Sequence, residues 1–150
     1  MTQHNDFAFP IMLDALLAAF APLPGEGIRV EDGPKLEWAP GDVLAVGIGD
    51  TRSATEEVTP EYRVGGRLED ETVRIFMAAY SWREDDSTIK QRRDSTIAIM
   101  RRVRQILDPD PALGGVVHFA YMGRDRVWVQ NVKGGPSVAC GFTIVGGLTI

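Results

Sequence analysis

The side chains that could do chemistry are few and scattered. There are two histidines, His4 and His118, and one cysteine, Cys140. A hydrolytic triad needs a nucleophile, a base and an orienting acid that converge, and no spacing here points to one. His118 alternates with apolar residues, the setting of a strand histidine, while His4 sits near the start of the chain. Cys140 lies among small and apolar residues, the setting of a buried and inert thiol. A lone cysteine also rules out an intramolecular disulfide and a cysteine-rich metal site. Gly47-Ile48-Gly49 follows an apolar run, but the third glycine and the following helix of a dinucleotide cradle are missing. Glu84, Asp85 and Asp86 are consecutive, which suits a solvated turn or helix cap better than a cation loop with alternating ligands. The expectation is no catalytic residue, no cofactor, no metal and no enzyme.

The sharpest polar feature is basic. Lys90, Arg92, Arg93, Arg101, Arg102 and Arg104 fill most of the surface left by Ile89, Thr96, Ile97, Met100, Val103, Ile106 and Leu107, which recur at helical spacing. Such a face can be plain solvated surface that also complements the helix dipole, or it can pair with acids of another subunit. Nucleic-acid binding fits less well, because aromatic side chains are not interleaved with the arginines. The net charge of -5 also argues against binding nucleic acid over the whole surface. Glu56, Glu57, Glu69, Asp70, Glu71, Glu84, Asp85 and Asp86 supply the opposite sign. The subunit-interface candidates are Arg92, Arg101 and Arg104 on one side, with Glu56, Glu57, Glu84 and Asp85 on the other.

The elements that must position these residues centre on 71–107. Val73, Ile75, Met77 and Ala79 alternate with Thr72, Arg74, Phe76, Ala78 and Tyr80, the period of a strand. Arg83 to Ser87 then offers a polar turn with several candidate N-caps, and a helix follows over 88–107. Asp108-Pro109-Asp110-Pro111 ends it, since a residue before proline avoids helical angles. Upstream, 7–20 reads as an apolar helix with Asp6 as its cap and Pro10 in its first turn. Short strands are expected at 28–30 and 43–48. Residues 50–60 are polar and rich in turn formers, and are expected to be a mobile loop. Gly65-Gly66 is placed to turn a hairpin into the central strand. Downstream, Gly114-Gly115 is expected to start a strand from Val116 to Met122. Val127-Trp128-Val129 continues it past a bulge or turn at Gly123, and a last strand runs from Val138. Val138, Cys140, Phe142 and Ile144 form its large face, while Ala139, Gly141 and Thr143 leave room for close approach. These periods predict one α+β domain, a mainly antiparallel (mixed) sheet of about four to six strands against two principal helices.

Length and composition agree with that layout. A chain of 150 residues, 44% hydrophobic and 25% charged, has the proportions of one ordinary globular domain. No run is read as a transmembrane helix and no signal peptide is read before the first helix.

Several stretches together resemble a known family. Val30-Glu31-Asp32-Gly33-Pro34 and Asp42 to Asp50, the central Glu71-Thr72-Val73-Arg74-Ile75, and Leu107-Asp108-Pro109-Asp110-Pro111-Ala112-Leu113-Gly114-Gly115 resemble tail terminator-like proteins of actinobacterial siphophages and related prophages. The order of elements is similar too, over most of the chain, although 51–60 matches no family pattern. The resemblance implies a head–tail completion protein, found in the virion tail and assembled in the host cytoplasm. Its self-association would give a ring, typically a hexamer, that stops polymerisation of the major tail tube protein and meets the head–tail connector protein. No membrane and no sequence-specific nucleic acid are implied. The competing classes are another connector, adaptor or minor tail protein, a free-standing dimeric binding domain, and a small-ligand enzyme.

Overall fold

The computed structural model describes residues 8–33, 39–47, 56–62 and 69–149. Its elements in chain order are α1 (Ala8–Ala19), a 3-10 turn (Leu23–Glu26), β1 (Ile28–Asp32), β2 (Gly41–Val46), β3 (Glu56–Tyr62), β4 (Glu69–Trp82), α2 (Ile89–Leu107), β5 (Phe119–Asn131) and β6 (Ser137–Thr149). The alternating stretch is the axis of the sheet. β4 is 14 residues long and pairs with β6 from Asp70 to Trp82 along one edge. Its other edge is shared end to end, by β3 opposite Glu69 to Ile75 and by β2 opposite Met77 to Trp82. The six strands run β1-β2-β4-β6-β5, with β3 beside β4. Only β1 and β2 are parallel, so the fold is α+β with a mixed, mainly antiparallel sheet.

Alternation decides which face is covered. Val73, Ile75, Met77 and Ala79 are fully buried, as are Cys140 and Ile144 beside them. α1 lays Ala8, Met12 and Leu16 on that face, one turn apart, and Phe20 follows them. α2 adds Thr96, Ile99, Met100, Val103 and Leu107. Burying one such aliphatic side chain stabilises by ~1.5–3 kcal/mol, so this single cluster holds the fold. On the opposite face Val43, Ala45 and Tyr80 form a smaller cluster with Ala78 and Ala139. Glycines on β6 make two close approaches, one on each face. A Cβ on Gly146 would overlap the Met12 thioether, and one on Gly147 would overlap the Phe119 ring.

Several expectations are corrected. Residues 56–60, expected in a loop, belong to β3, because the free half-edge of β4 offers them backbone partners that their polar sequence does not advertise. Pro60 marks β3 as a strand at a sheet margin, where a missing N–H is tolerated. The rest of the expected loop, 50–55, lies outside the described residues, as do Gly65-Gly66 and Asp6. The hairpin itself is present, with Tyr62 opposite Glu69. The N-cap of α2 is Thr88 and none of the five residues before it. Its hydroxyl accepts from the Gln91 amide at 3.1 Å, and the Gln91 side chain accepts from the Thr88 amide at 2.8 Å. Gly114-Gly115 lies in a turn, and β5 begins only at Phe119. The bulge near Gly123 is present: Met122 faces Ile144 and Arg126 faces Phe142, so three residues of β5 stand opposite Thr143 alone.

One stretch, Ala8–Glu26, is apolar and long enough by composition to cross a membrane, contrary to the sequence reading. Its helix nevertheless stops at Ala19 after 12 residues, roughly 18 Å against the ~30 Å of a bilayer core. Met12, Leu16 and Phe20 are fully buried in the domain.

Candidate interaction surfaces

The basic helix face is not uniform. Where β4 runs out, Ser81 is buried, and its hydroxyl donates to the Asp42 carboxylate at 2.6 Å. Arg92 reaches in from α2 and donates from Nη1 to that same hydroxyl at 2.9 Å. Arg83 pairs with Asp42 at 3.1 Å from the other side. Thr96, one turn on from Arg92, lies 2.8 Å from the Val138 carbonyl and docks α2 on β6. Arg92, an interface candidate by sequence, is therefore committed to the contact between α2 and the sheet.

Three further cations are also tied internally. Arg102 donates from Nε and Nη2 to the two carboxylate oxygens of Glu26, at 2.7 and 2.8 Å, linking α2 to the 3-10 turn before β1. That hydrogen bonding holds the Glu26 carboxyl below its usual range, opposed by partial desolvation and helped by the positive charge of Arg102. Arg93 donates to the Gln130 side chain on β5 at 3.2 Å. Lys90 pairs with Asp94 one turn along the helix at 2.8 Å. Arg101 and Arg104 are exposed and, among the described residues, have no side-chain partner. They are three apart, so they lie side by side on the outer surface of α2.

The acidic candidates occupy two separate places. Glu84 and Asp85 are exposed in the turn before α2, where the Asp85 carboxylate accepts from the Ser87 amide at 2.9 Å. This turn rims a shallow, solvent-open depression of about 760 Å³ with Gln91 and Arg92. Glu56 and Glu57 belong to β3, opposite Ile75 and Arg74. No intramolecular pair joins Glu84 or Asp85 to Arg101 or Arg104 among the described residues.

His118 lies 2.6 Å from the Thr149 hydroxyl and ties the start of β5 to the end of β6. Cys140 is fully buried, and desolvation pushes its thiol up, away from reactivity. Among the described residues no three histidine, cysteine or carboxylate side chains converge on a metal-sized space.

Sequence reasoning missed the largest surface feature. β5 closes one side of the sheet, and most of its apolar side chains face solvent. Val127 is 66% exposed, Val129 58% and Trp128 43%, with Phe119, Tyr121 and Val132 also outside. The register puts Phe119, Tyr121, Val127 and Val129 on the helix-free face, while Trp128 points to the helix side. The Phe119 and Tyr121 rings stack, with centroids 5.9 Å apart. A signal was present in the sequence: Val127-Trp128-Val129 is apolar on both faces, yet it lies between Arg126 and Gln130 in a segment too polar for an inner strand. Comparison with protein-family models and with curated proteins finds no match for this chain.

Proposed function

We propose that this chain is a structural virion subunit resembling the tail terminator, which associates with itself into a ring at the head-proximal end of a tail tube. In that place the ring stops polymerisation of the major tail tube protein and meets the head–tail connector protein. The observation that carries the reading is the division of the surface. Arg83, Arg92 and Arg102 are already paired within the chain, while Arg101 and Arg104 have no side-chain partner among the described residues. An acidic turn at Glu84 and Asp85 sits elsewhere on the same subunit. A ring needs two different, complementary patches on each copy, and these supply the charges that would set its register. Glu56 and Glu57 on β3 are the second acidic group available to such a contact.

A free-standing dimeric domain is the second reading, favoured by the apolar edge of β5. The mass of the native protein in solution tests both, by light scattering across a range of concentrations. A ring has several times the mass of the 16.5 kDa subunit, typically six times. A species that stays at two copies or fewer, alone and with tail tube subunits present, removes the ring.

A further inference from the structure

The regular half of β5 is a strand edge without the features that keep edges apart. Beyond the bulge, Arg126 to Asn131 pairs with β6 on one side and ends the sheet on the other. From Val127 to Asn131 it carries no proline, no charge and no second bulge, and Val127 and Val129 are both more than half exposed. The opposite margin differs: β3 carries Glu56, Glu57, Pro60 and Glu61, the composition of a guarded edge. An unguarded apolar edge in a chain with one guarded margin is an edge that something covers.

The sequence around Trp128 says what. Arg126-Val127-Trp128-Val129-Gln130 reads almost the same in both directions. We propose that β5 pairs antiparallel with β5 of a second copy, across a two-fold axis at Trp128, to give one continuous sheet through the dimer. In that register Val127 faces Val129 of the partner subunit, and Arg126 faces Gln130 of the partner subunit. Asp125 then faces Asn131 of the partner subunit, and Arg124 faces Val132 of the partner subunit. No like charges oppose, and the two exposed valines meet as an apolar cross-strand pair on each side of the axis. A parallel pairing, or one slipped by a single residue, loses this match, because a slip turns every side chain to the other face. Val127, Trp128, Val129 and Val132 all lie inside this register, and all four are exposed in the single subunit.

This contact stands apart from the charged ring contact proposed above. A two-fold axis combined with a ring requires paired copies and an even number of subunits. Two measurements test it on the full chain. Proteins carrying V127C and V129C are mixed and mildly oxidised; Cys140, fully buried, stays out of the reaction. Opposed residues in an antiparallel pair lie within disulfide reach, so the mixture forms linked dimers at least about tenfold faster than either variant alone. Equal rates in the mixture and in the separate variants overturn the pairing. In parallel, V127K/V129K, at two solvent-facing positions, keeps the native circular dichroism and weakens dimerisation by on the order of 100-fold. A V127K/V129K protein that keeps the native mass also overturns it. The two readings fail separately: a ring whose mass is unchanged by V127K/V129K removes the pairing alone, and a dimer that never grows removes the ring alone.

Discussion

Ser81 shows how one small side chain can hold two elements together. Its hydroxyl gives its proton to Asp42 and receives one from Arg92, with no solvent exposure to compensate for a loss. S81A leaves Asp42 with Arg83 alone and deprives Arg92 of its acceptor, so it should cost ~1–3 kcal/mol. Urea unfolding checks this: an unchanged midpoint would show that the network contributes nothing net. Glu26 gives a test in pH. Its folded carboxyl is depressed by Arg102, so the pair stabilises above the usual carboxylate range and is lost as pH falls through the folded value. Wild type should therefore melt above E26Q at neutral pH, and the gap should close in acid. Both groups are exposed, so the difference is small. A gap that persists at about pH 2, below the usual carboxylate range, would place the effect elsewhere.

At the scale of elements, the turn between β5 and β6 is the least forgiving point. Gly135 has φ +119, and a Cβ there would overlap the Arg83 backbone oxygen, which cannot swing away as a side chain would. G135A should cost more than about 2 kcal/mol, whereas G25A, with open space around it, should cost much less. Thermal melts of the two variants decide it, and equal losses would mean that the turn relaxes freely. This position also explains how the polar stretch before α2 is held. Arg83 donates its amide to the Pro136 carbonyl at 3.3 Å, so the β5–β6 turn braces the chain as it leaves β4 for the Thr88 cap.

For the molecule as a whole, the useful distinction is between charges spent inside the fold and charges left over. Reversing Arg92 would put a carboxylate beside Asp42 and Ser81 and damage the subunit itself. R101E/R104E touches two arginines with no side-chain partner among the described residues, so the subunit should melt as wild type does while the assembled mass falls at physiological salt. Each exposed pair is worth about 0–1 kcal/mol, which is why two reversals are needed and why the effect should fade at high salt. A native-sized ring in R101E/R104E would show that these arginines are solvated surface.

Period and punctuation were enough for most of the elements, β3 excepted. The alternation from Val73, the helical stripe from Ile89 to Leu107 and the proline pair after it made the β4–α2 unit legible, since each is a local property of the chain. The α+β class and the Gly123 bulge were legible on the same grounds. Pairing partners were not. β3 is a strand only because β4 is longer than β2 and leaves it a half-edge. Arg92 is internal and Arg101 free only because the end of β4 brings Ser81 and Asp42 beneath the first turns of α2. Val127, Trp128 and Val129 read as an ordinary strand until the order β4-β6-β5 put them at the margin of the sheet. Spacing along the chain determines which side chains share a face, but edge or centre depends on contacts far apart in sequence, and those only the tertiary structure decides.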